Sequence, residues 1–412
     1  MVYLLRNPRM HYAWGSRFAI PELLGEEVSA QPCAELWMGG HVKASSELYI
    51  DGAWVPLRNW IEKSPEHVLG SEVLSRYGCE MPFLLKVLAS EQPLSIQAHP
   101  NREQADRGFL REEAAGIALT AKQRNYRDRN HKPELICALT PFWALRGFRT
   151  PLEVVRWMRF FVPGAFSEAL AQLEQAPSAQ EMFSFYQMFL NSSLAEQSAL
   201  VELALERIST LKGEDLEAVE IGKWIRRLAE LYPGDVSVLS PAMLNLVQLQ
   251  PGEAMFLPDG ELHAYLHGLG LEIMANSDNV LRGGLTHKHV DKEELLRVLR
   301  FTPTQIERLQ PQSALDCAKE ALNSSSAVQE EIYQTPCTEF QLSRIGLEQG
   351  RSWVREQPQS VEILFCLKGV CDVRYGFAEE SSLCLLQGAS CVVPFACQLY
   401  ALYGEGEVYR AT

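Results

Sequence analysis

The 412-residue chain lacks the features that mark secreted or membrane proteins. Its ten cysteines are scattered from Cys33 to Cys397 without a CxxC pair or a dense cluster, so we expect reduced thiols rather than a disulfide framework. No apolar run is long enough to cross a bilayer, and the opening segment MVYLLRNPRM has neither the basic start nor the long apolar stretch of a signal peptide. These absences predict a cytoplasmic protein with no membrane partner.

Positive charge is scarce as well. The chain has 38 Lys and Arg residues against 52 Asp and Glu residues, which gives a formal net charge of −14. A surface with this excess repels nucleic acids and phosphorylated metabolites alike. We therefore expect no nucleic-acid partner, and any phosphate group must bind at a local group of lysines and arginines. The length and the hydrophobic content of 47% favour two or three domains.

The pattern of apolar residues changes three times along the chain. Strand-like runs occupy 82–88, 93–99 and 131–148, the last with a Thr-Pro break, and a charged helix is predicted between them over 101–117. Residues 151–232 carry apolar residues at helical spacing, with Pro, Gly or Ser between the segments. The strand pattern returns after Pro233-Gly234. This order predicts a helical block inserted between two β-rich parts.

A weak internal repeat occurs in the β-rich parts. LQPGEAMFLP places five residues between Gly252 and Pro258, and LLQGASCVVP places five between Gly388 and Pro394. The first copy continues to Gly260 and His263, which matches the second half of the cupin signature except that His267 stands where Asn is usual. The second copy has Ala396 and Leu399 in place of Gly260 and His263. The repeat predicts two related jelly-roll barrels, the second without a metal.

His263 has candidate partners elsewhere in the chain. Alternation along 93–99 points Ser95, Gln97 and His99 to one face, and alternation along HKPELI places Lys132 beside Glu134. Two imidazoles, one carboxylate and one amide oxygen would suit Zn²⁺ and would also accept Mn²⁺, Fe²⁺ or Co²⁺. The alternative is a scatter of polar residues that binds no metal.

Several segments together resemble the bacterial type I phosphomannose isomerases. They are YAWGS (12–16), AELWMGGH (34–41), PFLLKVL (82–88), LSIQAHPN (94–101), RNYRDRNHKPEL (124–135), PDGELHAYLHG (258–268) and NSDNVLRGGLTHKHVD (276–291). The likeness covers most of the first 300 residues and is weak in the last hundred. Two positions depart from the family pattern, which has Pro at His287 and often Ser at His267.

The resemblance implies a zinc-dependent isomerase that interconverts mannose 6-phosphate and fructose 6-phosphate. It implies one Zn²⁺ per chain, held by Gln97, His99, Glu134 and His263, and an active-site arginine at Arg282. It also points to Lys132, Glu272 and Lys288 as pocket residues. The partner would be a small phosphosugar, and the chain is expected to act as a monomer.

Aldose–ketose isomerisation moves a proton between C1 and C2, so a general base is required. We predict Glu272 in this role, on a hairpin formed with His263 through a Gly268-Leu-Gly270 turn. Lys132 is the alternative base, and a surface position for Glu272 is the competing interpretation.

Recognition of phosphate calls for clustered cations. Arg282, with glycines beside it that would let the backbone approach an anion, and Lys288 are the predicted contacts. Ser95 and Lys86 are further candidates, although Lys86 could instead protect a strand edge. Two rival functions are an iron-dependent cupin dioxygenase and a phosphosugar-binding barrel without activity.

The predicted fold class is α+β, with two cupin-like jelly-roll barrels and an inserted all-helical domain. The predicted catalytic domain is discontinuous, from residues 1–150 and 235–300. The helical domain spans 151–234, and the metal-free barrel spans 301–412.

Overall fold

The structure, a computed structural model, describes residues 1–212, 215–314, 328–376 and 381–412. The first 150 residues form strands β1 (Tyr3–Arg6), β2 (Arg9–Met10), β3 (Glu35–Met38), β4 (Glu47–Ile50), β5 (Ala53–Pro56), β6 (Phe83–Ser90), β7 (Ile96–Ala98), β8 (Glu134–Ala138) and β9 (Phe142–Phe148). Helices α1 (Ala19–Leu23), α2 (Leu57–Lys63), α3 (Pro65–Leu69), α4 (Ser71–Tyr77) and α5 (Arg102–Ala114) lie between them. The predicted strands around residues 82–148 and the helix near 101–117 are confirmed, and the break between β8 and β9 falls at Thr140-Pro141.

Five consecutive helices follow, as the helical spacing predicts. They are α6 (Pro151–Phe161), α7 (Ser167–Gln175), α8 (Ala179–Leu190), α9 (Leu194–Ser209) and α10 (Leu216–Leu231). The starts of α6 and α9 are fixed by capping boxes, in which Thr150 pairs with Glu153 and Ser193 pairs with Glu196. A 3₁₀ turn (Val236–Leu239) and α11 (Ser240–Met243) come before the next strand, so the strand pattern returns about ten residues later than the sequence suggests.

The remaining elements complete two sheets. They are β10 (Leu244–Leu249), β11 (Ala254–Leu257), β12 (His263–Ala275), β13 (Leu281–Gly284), α12 (Lys292–Val298), β14 (Gln312–Ser313), β15 (Glu330–Tyr333), β16 (Leu342–Leu347), β17 (Ser352–Glu356), β18 (Glu362–Tyr375), β19 (Ser381–Leu386), β20 (Ser390–Val393) and β21 (Leu399–Ala411). No helix among these described elements is both long enough and apolar enough to span a bilayer. Together with the helices described above, these strands make the molecule a mixed helix and sheet structure.

Both sheets are built from antiparallel pairs. The ten-stranded sheet has the order β10-β9-β12-β6-β3-β2, with β7, β8, β11 and β13 paired off this path. The eleven-stranded sheet contains β14 to β21 together with β1, β4 and β5. Residues 1–150 thus contribute strands to both sheets.

The internal repeat has a structural counterpart in the two sheets. Gly252 and Gly388 both have positive φ, at 87° and 80°, and each precedes a short strand that ends just before a proline. His263 and Leu399, the residues at equivalent positions of the two copies, each begin a strand of 13 residues. The same turn therefore presents an imidazole in one sheet and an aliphatic side chain in the other.

Alternation along the strands separates a packing face from an interior face. Leu85 and Val87 of β6 and Leu271 of β12 belong to the core that joins the two sheets. Ile96 and Ala98 of β7 pack with the helices α6 to α10. The side chains that alternate with these along β6, β7 and β12 point to the opposite face, which is the interior face of the ten-stranded sheet. This interior face carries the candidate site residues.

Candidate active site

Three buried side chains converge on the interior face. His99, Glu134 and His263 are 2%, 1% and 1% exposed, and their potential ligand atoms all lie within 4.8 Å of one another. Glu134 Oε1 is 3.4 Å from His99 Nε2, and Glu134 Oε2 is 3.3 Å from His263 Nε2. Burying a carboxylate and two imidazoles at this spacing is costly unless a cation or protons compensate for the charge.

The hydrogen bonds of the triad leave the inward-facing atoms available for a metal. His99 Nδ1 bonds to the carbonyl oxygen of Asn279 at 2.7 Å, and His263 Nδ1 bonds to the carbonyl oxygen of Glu261 at 3.0 Å. His99 Nε2 and Glu134 Oε2 are buried without a hydrogen-bond partner. Metal-binding histidines show this arrangement, because an outer hydrogen bond fixes the tautomer and leaves the other nitrogen free. These residues fit a borderline cation such as Zn²⁺.

Gln97 lies next to the triad. It pairs with His263 across β7 and β12, and its amide is 3.3 Å from His263 Nε2. Its amide oxygen is a suitable fourth ligand once the side chain is oriented toward a metal.

Lys132 lies beside Glu134, as alternation predicts. Its Nζ is 2.9 Å from Glu134 Oε1. Burial by itself would raise the pKa of Glu134, but the charge of Lys132, helped by the neighbouring His99 and His263, outweighs burial and holds that pKa well below 4.5. Burial and the Lys132 charge also lower the pKa of His99. The site therefore holds an ionised carboxylate and a neutral imidazole, the forms that bind metals.

Glu272 faces the interior on β12, at the centre of a second polar group. Its Oε2 is 2.9 Å from Lys86 Nζ, and its Oε1 accepts a hydrogen bond from Tyr265 Oη at 2.8 Å. Lys86 is 6% exposed on the inner strand β6, so it does not protect a strand edge. Burial would lower the pKa of Lys86, but Glu272 and Glu35 outweigh it and raise that pKa.

The predicted hairpin between His263 and Glu272 is wrong. Both residues belong to the single strand β12, and the glycines lie inside it rather than in a turn. A Cβ atom on Gly268 would come within 2.8 Å of Phe142, and one on Gly270 within 2.6 Å of Ile136. The glycines are needed for close packing against neighbouring strands.

A register shift in β12 sets the direction of His267. Tyr265 pairs with Ala144, His267 pairs with Trp143, and the ladder shifts between them. Ala144 packs inside the sheet, whereas Trp143 packs against the helical side. His267 therefore turns away from His263, and it is not a member of the metal-binding group found among the described residues.

Four cations approach one another beside β13. Burial lowers the pKa of Arg282, and the charge of Arg127 lowers it further. Burial also lowers the pKa of Lys288, together with the charges of Arg282 and Lys43. Lys43 forms an ion pair with Asp278, at 2.7 Å. In the described part of the chain, no carboxylate lies within ion-pair distance of Arg282. A group of cations with lowered pKa values favours binding of an anion, because the anion offsets the repulsion between the positive charges.

The remaining predicted positions lie at the edges of these groups. Ser95 precedes β7 and is partly exposed. The exposed His287 lies beside Tyr232, with ring centroids 5.6 Å apart. The glycines after Arg282 serve packing instead of anion contact, because a Cβ atom on Gly284 would lie 2.2 Å from Ser237.

Sequence reasoning missed several residues of the site. Asn279 is completely buried and holds the segment 127–130, and Arg127 joins the cation group. Glu35 is 7% exposed, accepts a bond from Trp37 Nε1 at 2.7 Å, and has a pKa raised by burial. The dense polar runs NSDN and RNYRDRN are the signals that could have identified the first two residues.

Comparison with known proteins gives one consistent result. A profile of the phosphomannose isomerase type I catalytic domain matches residues 2–151. The chain is 41% identical over 367 residues to mannose-6-phosphate isomerase of Escherichia coli (strain K12), covering 89% of this chain and 88% of that protein. It is 37% identical over 324 residues to the Homo sapiens protein of the same name, covering 74% of each.

Solved structures agree over the full chain. A mutant phosphomannose isomerase from Salmonella typhimurium has a TM-score of 0.88 at 38% identity, covering 100% of this chain and 98% of that one. A zinc-bound mannose 6-phosphate isomerase has a TM-score of 0.87 at 38% identity, with the same coverage.

Proposed function

This chain belongs to the type I phosphomannose isomerases, and we propose on that premise that it interconverts D-mannose 6-phosphate and D-fructose 6-phosphate with one Zn²⁺ per chain. The observation that carries the proposal is the buried group of His99, Glu134 and His263, which includes inward atoms without hydrogen-bond partners. Arg282 of the cation group pairs with Gln97 across β13 and β7, beside this group. An isomerase of phosphosugars needs a metal site and a phosphate site of this kind.

Four side chains would hold the metal, namely Gln97, His99, Glu134 and His263. When bound, Zn²⁺ supplies a Lewis acid that stabilises negative charge on the substrate oxygens at C1 and C2. Lys132 already forms an ion pair with Glu134, so it keeps that carboxylate ionised in the metal-free protein. Its ammonium group would also donate a hydrogen bond to a substrate hydroxyl.

We assign proton transfer to Glu272. Its carboxylate would take the proton from C2 of the aldose and return it to C1 to give the ketose, and the reverse reaction uses the same group. Lys86 and Tyr265 hold the carboxylate in one orientation through bonds of 2.9 and 2.8 Å. Lys132 is the second candidate, and its partner Glu134 would have to give up that ion pair.

The cation group is the proposed phosphate site. Arg282 and Lys288 are the principal contacts, and Arg127 and Lys43 add positive charge. A bound dianion would relieve the mutual repulsion of these cations, which is a favourable contribution available only to phosphorylated sugars. Ser95 and Lys86 are the remaining proposed substrate contacts.

Family membership decides between the rival functions. The relatives carry the name of the isomerase across bacteria, animals and plants. This result disfavours an iron dioxygenase and a binding protein without activity.

We also propose the finer architecture. The two sheets form cupin-like jelly-roll barrels, with a catalytic domain from 1–150 and 235–300, an inserted helical domain from 151–234 and a metal-free barrel from 301–412. The equivalent turns before His263 and Leu399 support two related sheets, and β1, β4 and β5 from the first 56 residues would add strands to the second barrel. We propose a cytoplasmic monomer.

A coupled assay with metal analysis tests the function. Purified protein should form fructose 6-phosphate from mannose 6-phosphate and contain about one zinc per chain. Chelation should abolish activity, and added zinc should restore it. Full turnover in a metal-free sample would contradict the role of the metal, and a zinc-loaded sample without turnover would contradict the proposed reaction.

A further inference from the structure

Asn279 lies at the point where the metal-binding group meets the cation group. Its side chain is completely buried and bonds to the segment 127–130. Its backbone carbonyl accepts the 2.7 Å bond from His99 Nδ1, and its backbone N–H donates to Ser277 Oγ at 3.2 Å. The residue itself cannot touch a metal through this carbonyl, because the imidazole lies between them.

The side-chain amide of Asn279 is fully used by the neighbouring segment. Its Oδ1 accepts bonds from the backbone N–H groups of Arg127 and Asp128, at 2.7 and 3.2 Å. Its Nδ2 donates to the carbonyl oxygens of Asp128 and Asn130, at 2.9 and 2.8 Å. Only an Asn side chain offers two donors and an acceptor at this reach.

These bonds connect two functional groups through one residue. The segment held by the amide begins with Arg127 of the cation group and continues to Lys132 and Glu134. The carbonyl of the same residue orients His99. Asn279 is also followed, three residues later, by Arg282 on β13.

We propose that Asn279 is a positioning residue that couples the metal site to the phosphate site, so that both affinities depend on its amide. The proposal rests on the proposed function, because it takes the cation group as the phosphate site. The amide sets the backbone of Arg127, the carbonyl sets the ring of His99, and a movement of Asn279 displaces both.

The isosteric variant Asn279→Asp tests the coupling. Aspartate keeps the shape but replaces two N–H donors by an oxygen that faces two carbonyl groups and the carboxylate of Asp128, which repel it. If charge alone mattered, a new carboxylate near the metal site would strengthen zinc binding. The proposal expects the opposite, with zinc affinity weakened by about tenfold, as is typical when the outer partner of a ligand is lost.

Two measurements of affinity test the coupling between the metal site and the phosphate site without relying on turnover. Competition with a chelator gives the zinc dissociation constant, and calorimetry gives the affinity of the metal-free protein for inorganic phosphate. Both should weaken in Asn279→Asp, and KM for mannose 6-phosphate should rise. The control is Asn276→Ala, which removes the bond of a nearby amide to the carbonyl of Met81 at 3.2 Å but contacts neither site. This control should leave both constants within twofold of wild type.

The outcomes separate this proposal from the proposed function. Zinc and phosphate constants of Asn279→Asp that both stay within twofold of wild type, in a folded protein, would overturn the coupling. If Asn279→Asp does not fold, Ser277→Ala removes one acceptor of the same residue, and it should weaken both affinities to a smaller extent or the proposal fails. Failure of the proposed function would instead appear as absent isomerisation in the wild-type protein.

Discussion

Single residues at the site follow from alternation where the strands are regular. Gln97 and His99 share a face on β7, and Lys132 meets Glu134, as the sequence predicts. The bonds to the carbonyls of Asn279 and Glu261 were beyond prediction, because they join segments more than 100 residues apart or depend on one turn. Pattern identifies which side chains point inward, and only the fold shows which of them meet.

Substitution of Arg282 should separate phosphate binding from the rest of the site. Loss of a charged, bidentate contact to phosphate typically costs a few kcal/mol, so Arg282→Ala should lower kcat/KM by roughly two to three orders of magnitude. Part of the loss should appear in kcat, because the phosphate positions the reacting carbons. Steady-state kinetics measures the effect, with Arg107→Ala on the exposed face of α5 as the control. A change of less than tenfold would place the phosphate elsewhere.

Substitution of Glu272 tests the proton transfer. Glu272→Gln keeps the size and still accepts the bond from Tyr265, but it cannot take a proton from carbon. Zinc content should stay near wild type, and deuterium from solvent should no longer appear at C2 of recovered mannose 6-phosphate. A thermal melt is required as well, because the change leaves Lys86 buried without its partner.

A comparison with Glu35→Gln sharpens this test, since Glu35 is another buried carboxyl beside Lys86. Exchange should persist in Glu35→Gln. If exchange persists instead in Glu272→Gln at near the wild-type rate, Lys132 becomes the leading base.

Whole elements were easier to predict than their ends. The apolar spacing predicts all the helices between residues 151 and 232, and the capping boxes explain where two of them begin. The strand after Pro233-Gly234 begins late because Asp235 bonds to the N–H of Ser237 at 2.8 Å and starts a 3₁₀ turn. A local side-chain bond of this kind competes with strand formation and leaves little trace in hydrophobic patterning.

The cap of α6 offers a test at this scale. Thr150→Ala removes the hydroxyl that accepts from the N–H of Glu153, so the free energy of unfolding should fall by about 1 kcal/mol. Denaturant titration measures the change, and activity should be unaffected. Thr210→Ala, which removes a hydroxyl after the end of α9, is the matched control and should change stability less. An equal loss in both variants would mean that the cap contributes nothing specific.

At the scale of the whole molecule, His131 connects the two sheets. Its Nδ1 is 3.0 Å from Asp259, and its Nε2 is 2.7 Å from Glu339, which lies between β15 and β16 of the other sheet. Burial would lower the pKa of His131, but the two carboxylates outweigh it and raise the pKa to about 9. Glu339, which also bonds to Arg102, has its pKa lowered to about 2.

This connection predicts a pH dependence of stability. A folded pKa above the unfolded value of 6.5 means that the protonated form of His131 stabilises the fold below about 6.5, and that this contribution is lost as pH rises through about 9. The stabilisation from Glu339 is lost at the other extreme, as pH falls from 4.5 through about 2. Chemical denaturation of the metal-free protein between pH 6 and 10 measures the first effect.

The variant His131→Asn isolates that effect from other groups that titrate in the same range. Its stability should fall less steeply between pH 7 and 10 than that of the wild type. Parallel curves for the two proteins would show that His131 does not hold the sheets together.

The register shift in β12 has a consequence for how this site can change. His263 and Glu272 are nine positions apart, an odd number, so an unbroken strand would direct them to opposite faces; the extra residue near Leu266 brings both inside. The extra residue therefore directs Glu272 as firmly as the neighbouring strands do, because straightening β12 without a change of length would turn Glu272 outward. Removing one residue between Tyr265 and Gly270 would instead leave His263 and Glu272 eight positions apart, so a regular strand would still direct both inside, whereas one added residue would require a second register shift.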